Sequence, residues 1–432
     1  MGIVTLLAGS LMSFEPVQPW LTRHSRVLSI VIVWLVILLA GMIPAELYAR
    51  SLLGDLVWSF PLQKGNFWYR DVLKIWNSTK YEQEKASFQE WPFPIETFKS
   101  DSPYPQYLFK PGLRMALVGN RLVPAKPGQP VYWSSNSWGF RGPEFSVAKS
   151  PGVIRIVCLG ASTTEGMQGD QETYPYYLQQ ELARLYPKRQ VEVINAGHHA
   201  MNIDDLQAIL RERVLPLQPD IIIFYEAANV HYEPLFKPVG LPCAGKSCWL
   251  LNYPQWYQWA YARSALFVLL SNQLGWNNLK PPPMPHTFDD PSTDTSLNHH
   301  IDGLRQIVQQ TKEKGITIVV SSFVNLTYDG FDVSYQDNPR IFDNTYKFWY
   351  PILPAENARI FQYMNQQFSQ LAQEAGVPFF DAASVFPKDI RYFDSDYIHF
   401  TPEGNRLFAG FFARYLIDRV LPPLDKGAGA GG

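Results

Sequence analysis

Ser162 stands in the stretch IVCLGASTTEG, residues 156–166, where four apolar residues run into Gly-Ala-Ser, two threonines, a glutamate and a second glycine. A serine at the tip of an apolar run has two uses. Its hydroxyl can cap the helix that follows, or, once a base removes its proton, it can attack an electrophilic carbon. The segment DSDYIHFTPEGN, residues 394–405, holds a candidate base in His399. Asp396, three residues before it, can lie beside the imidazole across one turn, enforce one tautomer and stabilise its cation. Asp394 is the rival carboxylate, and the three-residue spacing favours Asp396. A tetrahedral oxyanion also needs donors placed in advance. The backbone N–H of Ser162, the N–H of Gly197 in INAGHHAMN and the side-chain amide of Asn229 in FYEAANVHYE are the candidates. Gly197 suits a place where a Cβ would block backbone approach. Asn229 has an ordinary reading as a turn or cap residue, and His399 as a loop histidine. The set as a whole points to acyl transfer through a serine.

These residues act together only if the chain carries them to one place. The sequence predicts strands over Val153–Leu159, Val191–Asn195, Ile221–Tyr225, Ile316–Phe323 and Val377–Asp381. Leu297, Ile301, Leu304 and Val308 fall at helical spacing, as do Ile360, Met364, Phe368, Leu371 and Ala375, with Gly376 as a stop. Continuous Ile/Val strands alternating with amphipathic helices predict a parallel sheet covered on both faces. In such a sheet the strand ends carrying Ser162, Gly197, Asn229 and His399 share the carboxyl rim, where ligands bind. A long interruption at about 234–295 contains an aromatic stretch, Trp256–Leu274, with two readings, buried helix or sugar-stacking platform. Residues 46–150 read as an irregular, aromatic-rich lead-in with a helix around Phe67–Ile75, closing on NSWGFRGPEF at 136–145, where Gly139 and Gly142 bracket a turn.

On Ser162, Gly197, Asn229 and Asp396-x-x-His399, taken in order at strand ends, the chain resembles the SGNH hydrolases of the GDSL esterase/lipase superfamily. The resemblance spans about 153–420. It implies a flavodoxin-like three-layer α/β/α domain, here over 151–422, with a central parallel sheet of about five strands. It also implies catalysis by Ser162, Asp396 and His399, an oxyanion hole of Ser162, Gly197 and Asn229, no cofactor, and hydrolysis of carboxylic esters. NSWGFRGPEF resembles the lead-in of membrane-anchored bacterial members. Two positions depart from the family pattern: Ala161 replaces the aspartate of Gly-Asp-Ser, and Val230 the aspartate of Gly-x-Asn-Asp. Neither missing aspartate belongs to the triad.

Bulk properties bound the partners. With 46% apolar and 18% charged residues the chain can bury a large core, and a net charge of −2 gives no electrostatic reason to expect nucleic acid. His198, His199 and His231 lack the spacing of a metal site. No residue between Arg26 and Glu46 is charged, so Val27–Ala45 is long enough to cross a bilayer. Arg23 and Arg26 before it place residues 1–26 in the cytoplasm and the remainder outside. A cleaved signal peptide is the alternative, disfavoured by Ile43 and Leu47 at the −3 positions of the candidate cleavage sites. The expectation is therefore a signal-anchored, extracytoplasmic serine esterase acting on O-acetyl groups of a cell-envelope glycan. Two alternatives stand beside it: an O-acyltransferase on the same scaffold, and a catalytically silent glycan-binding or assembly protein. The tail 423–432 reads as disordered.

Cys158 lies inside the first predicted strand, where a thiol behaves as a small hydrophobe. Cys243 and Cys248 share the loop PCAGKSCW, whose Ala-Gly-Lys-Ser turn can bring their Cα atoms within bridging range. Half of a zinc site is the alternative, but no second ligand pair accompanies it. Outside the cytoplasm the expected state is a disulfide, stabilising by roughly 2 kcal/mol for so short a loop. Mass spectrometry of protein alkylated without reduction should find Cys243 linked to Cys248. Two alkylated thiols would count against both the bond and the extracytoplasmic placement.

Overall fold

The computed structural model describes most of residues 29–49, residues 95–96 and, with short interruptions, 108–230, 253–276, 290–346 and 354–423. They fall into two compact units, one drawn from 1–58 and 255–279, the other from 59–254 and 280–432. The Phe67–Ile75 helix, Cys243, Cys248, His231 and residues 424–432 lie outside the described residues.

The larger unit is built on a five-stranded parallel sheet. Ahead of it, β1 (Arg114–Val118) pairs antiparallel with β2 (Arg121–Pro124) and with β3 (Trp133–Ser134). The main strands are β4 (Ile154–Gly160), β5 (Val191–Gly197), β6 (Ile221–Tyr225), β7 (Thr317–Ser321) and β8 (Phe379–Phe380). Every residue of β4 and β6 is buried, as a strand covered on both faces requires. Their spatial order is β8-β7-β6-β4-β5, the flavodoxin-like 2-1-3-4-5 arrangement when counted along the chain. The chain steps outward from β4 to β5, then returns past β4 to β6. Right-handed crossovers place the helices of opposite steps on opposite faces. Accordingly α2 (Tyr174–Leu185) packs with the final helix, whereas α6 (Thr295–Glu313) packs with α3 (Ile203–Ile209) and α7 (Pro354–Ala375). The reversal lies at the carboxyl end of β4, where Ser162 follows.

Local chemistry sets the helix limits. Asn202 caps α3, accepting N–H bonds from Asp204 and Asp205 in a capping box with Asp205. Asp294 caps α6 through Ser296 and Leu297. α7 ends at Ala375, where Gly376 takes φ +65°. Cys158 is fully buried within β4, and burial pushes its thiol pKa up to about 12.

In the smaller unit, α4 (Gln255–Tyr261) and α5 (Ala265–Gln273) occupy the aromatic stretch. Tyr257 and Tyr261 are buried, while Trp256 and Trp259 are exposed. Glu46 caps α5 from outside its own segment, accepting from Ser264 Oγ at 2.8 Å and from the N–H groups of Ala265 and Leu266 at 2.9 and 3.0 Å. The transmembrane helix expected over 27–45 is described only in part. Residues 29–49, where described, are helical with Ile30, Trp34, Leu38 and Ile43 exposed. Among the described residues, no helix is long and apolar enough to cross a membrane.

Two glycines permit the close packing at the rim. A Cβ on Gly160 would lie 2.4 Å from the Tyr225 carbonyl oxygen, and one on Gly197 would lie 2.1 Å from the Glu165 nitrogen. Both obstacles are backbone, so neither can swing aside. Gly197→Ala should therefore displace the short helix that begins at Ser162, lowering the melting temperature by an amount equivalent to roughly 1–3 kcal/mol. Calorimetry of the purified variant checks this, and an unchanged melting temperature would show that the backbones have room.

Candidate active site

Ser162 opens α1 (Ser162–Glu165), one residue beyond the Gly160 that ends β4. Its N–H is the first of the helix and has no intrahelical acceptor. Its side chain does not cap the helix: Ala161 occupies that position. Instead, Ser162 Oγ lies 2.8 Å from His399 Nε2. On the other side of the ring, His399 Nδ1 lies 2.6 Å from Asp396 Oδ2. An ionised carboxylate only accepts, so Nδ1 carries the proton and Nε2 faces the serine as an acceptor.

The Asp-x-x-His spacing is held by the backbone. Asp396 Oδ1 accepts the N–H groups of Ile398 at 2.9 Å and of His399 at 2.7 Å, closing the turn that brings the two side chains together. Two residues later Thr401 caps the final helix, α8 (Pro402–Tyr415), by accepting the Gly404 N–H. Asp394 is directed elsewhere, its carboxylate 3.6 Å from Arg340 while its N–H donates to the His399 carbonyl. Burial raises the Asp396 pKa, but the charge of His399 and the hydrogen bonds it receives outweigh burial and hold it below the ordinary carboxylate value. For His399 burial opposes the cation, yet Asp396, then Asp394 and Glu226, raise its pKa above 6.5.

The oxyanion donors differ from expectation at one position. Asn229 Nδ2 is buried with no hydrogen-bond partner among the described residues, an orphan donor of the kind an oxyanion would satisfy. The Gly197 N–H, expected as a third donor, is already engaged by Asn195 Oδ1 at 2.9 Å. Asn195 lies only two residues away and its side chain folds back onto the turn. What Gly197 contributes is space, since α1 packs where its Cβ would be.

Several residues that support this arrangement were not singled out from the sequence. Arg141, 2% exposed, donates to the Glu165 carbonyl at 2.8 Å and to the carbonyls of Gly166 and Gln168, and pairs with Asp170 at 3.1 Å. It thereby gathers the carbonyls that end α1. Its signal is present in the Gly-Phe-Arg-Gly core of NSWGFRGPEF, where the sequence reading gives Arg141 no role beyond the turn. Gln168 Nε2 donates to the Phe400 carbonyl at 2.7 Å, tying the loop after Ser162 to the residue after His399. Glu165 Oε2 accepts from the His199 N–H at 2.6 Å and from its Nδ1 at 2.9 Å. Burial raises the Glu165 pKa, but His199, Arg141 and His198 together bring it below the usual value. His198 stacks on Phe109 at 4.5 Å and is held neutral by burial, its pKa lowered to about 4. These histidines pack and orient; among the described residues no His/Cys/Asp/Glu group is arranged to hold a metal ion.

Residues 158–407, more than half of the chain, match the model of the GDSL-like lipase/acylhydrolase family. No curated protein matches the chain. Among solved structures, a lipase/acylhydrolase from Enterococcus faecalis is similar at 13% identity and a TM-score of 0.37, over 62% of this chain and 96% of that one. An acetylxylan esterase from Geobacillus stearothermophilus is similar at 17% identity and a TM-score of 0.35, over 60% of this chain and 93% of that one. The family match and the order of Ser162, Gly197, Asn229 and His399 along the sheet rim lead to one assignment: the chain belongs to the GDSL-like lipase/acylhydrolase family and is a hydrolase of the SGNH type.

Proposed function

We propose that the protein is a serine esterase that removes acyl groups, foremost O-acetyl groups, from an extracytoplasmic glycan. The observation that carries the chemistry is the continuous chain Ser162–His399–Asp396, with contacts of 2.8 and 2.6 Å. Ser162 Oγ attacks the ester carbonyl carbon while His399 Nε2 takes its proton. Asp396 stabilises the imidazolium that forms. The carbonyl oxygen becomes an oxyanion, met by the Ser162 N–H and the Asn229 amide. Collapse breaks the ester C–O bond, and His399 returns the proton to the departing sugar hydroxyl, leaving an acyl-serine. Water then repeats the sequence, releasing the carboxylic acid and free Ser162. The location rests on the uncharged run Val27–Ala45 with Arg23 and Arg26 before it, and the glycan on the envelope setting that this topology implies.

Ser162→Ala should abolish hydrolysis of short-chain aryl esters and of acetylated glycans while leaving the circular dichroism unchanged. A fluorophosphonate probe should label wild-type protein at Ser162 alone. Folded protein that resists the probe would remove this reading. His399→Ala should cost about as much as losing the serine, because triad members act as a unit. Asn229→Ala should lower kcat by roughly 10²–10³ with a smaller change in KM, since the donor acts on the transition state.

The base must be neutral to accept the serine proton. With the His399 pKa raised above 6.5, activity is lost as pH falls through that raised value. The acid inflection of kcat/KM should therefore lie above pH 6.5, as a pH–rate profile on an aryl ester would register. An inflection below 6.5 would mean that Asp396 does not act on the ring in solution.

A further inference from the structure

β6 stops at Tyr225, and the next side chain turns back on its own chain. Glu226 Oε1 accepts the N–H groups of Ala228 and Asn229, each at 2.6 Å. Gly160 pairs with Tyr225 in the sheet register, so Glu226 emerges beside Ala161, the residue before the nucleophile. The Ala161 N–H and the charge of His399 both favour its anion. From the opposite side, the His300 ring on α6 donates Nε2–H to the Glu226 carbonyl at 3.3 Å, and burial lowers the His300 pKa to about 4, so this ring is neutral. Tyr225, also against the carboxylate, is pushed well above its ordinary pKa by burial and is neutral too. His399 is thus the one cationic partner that faces Glu226 among these groups.

A carboxylate that is 1% exposed is costly unless donors and an opposite charge surround it. A neutral side chain could close the same turn at lower cost. The charge matters if something at the rim becomes positive during turnover, and His399 does so each time Ser162 gives up its proton. We propose that Glu226 is a positioning residue for ester hydrolysis, holding the turn that aims the Asn229 amide and supplying a further anion to the imidazolium of His399. It touches no reacting atom and acts through those two residues. The inference rests on the serine-esterase reading above.

The pH consequence has a definite sign. Burial raises the Glu226 pKa to about 7, so its charge is present above that value and lost below it. His399, which also faces Asp396 and Asp394, is protonated over the same descent. Full activity then needs Glu226 ionised and His399 neutral, and both groups gain a proton along the acid limb.

The test compares full-chain wild type with Glu226→Gln, which retains an acceptor oxygen and the side-chain shape but removes the charge. The readouts are the fluorophosphonate labelling rate of Ser162 from pH 5 to 9, and kcat and KM on a short-chain aryl ester. Glu226→Gln should lower kcat and the labelling rate by roughly 10- to 100-fold, the scale of a small misplacement at a reacting centre, with KM changed less than about twofold. Its acid inflection should move to lower pH, because His399 has lost an anion. A structural role alone would leave that inflection where it is. Wild-type labelling should fall with a slope steeper than one per pH unit over the first part of the acid limb, before the slower Glu226-protonated form takes over, a measurement that needs no variant to fold. Equal labelling of both proteins with one inflection, or a wild-type slope of one throughout, would overturn the role of Glu226. Failure of the wild type to label at all would instead overturn the serine-esterase reading.

Discussion

One hydrogen bond, Ser162 Oγ to His399 Nε2 at 2.8 Å, joins residues 237 positions apart, and the rest of the larger unit can be read as what that contact requires. A serine at the end of β4 and a histidine before the last helix meet only if both reach the same rim. Parallel strands bring all carboxyl ends to one side, and the reversal of strand order beside β4 opens the rim there. The contact also demands accuracy of a few tenths of an ångström, which strand ends alone do not supply. Gln168 bridges the two halves through the Phe400 carbonyl, and Asp396 closes its own turn through two N–H bonds. Each is a short-range restraint placed next to a long-range contact.

The segment that carries Ser162 is an awkward piece of chain. α1 has four residues, too few to be stable alone, and its carbonyl end would be left without partners. Arg141 answers both problems. A guanidinium presents several donors in a rigid fork, and here the donors go to the carbonyls of Glu165, Gly166 and Gln168. Arg141 reaches this position because its segment forms bridges with Ser135 on one side and Asn195 on the other. The lead-in therefore completes the site from outside the five-stranded sheet.

Charge near the site follows the same economy of partners. Asp396, Glu165 and Glu226 are all buried carboxylates; Asp396 and Glu226 each accept two backbone N–H groups and Glu165 one, and each feels the charge of a histidine. Asp396 and Glu165 are drawn below the ordinary pKa by directly bonded rings. Glu226 lacks such a bond, and burial prevails, raising it. The difference between a directly bonded imidazole and one acting through space decides which carboxylate stays ionised at neutral pH and which titrates there.

What the sequence by itself determined is what local chemistry controls. Apolar runs of strand length and helical spacing located the five strands and two of the helices, α6 and α7, because burial imposes those periods whatever the rest of the chain does. The residues able to do chemistry, Ser162, Asp396 and His399, were legible for a similar reason: an Asp-x-x-His spacing already confines the two side chains to one turn. Tertiary structure decided the rest. Which acceptor takes the Gly197 N–H depends on the rotamer of Asn195, which the neighbouring Glu165 carbonyl holds at 3.2 Å. Arg141 read as part of a turn because its acceptors lie 24 to 29 residues further along the chain. For Glu226 the sequence gives only a place on the rim after the third strand; its character comes from burial beside Ala161 and His399. Hydrogen bonds and fields between distant segments leave no period in a sequence; they exist only once packing has brought the segments together.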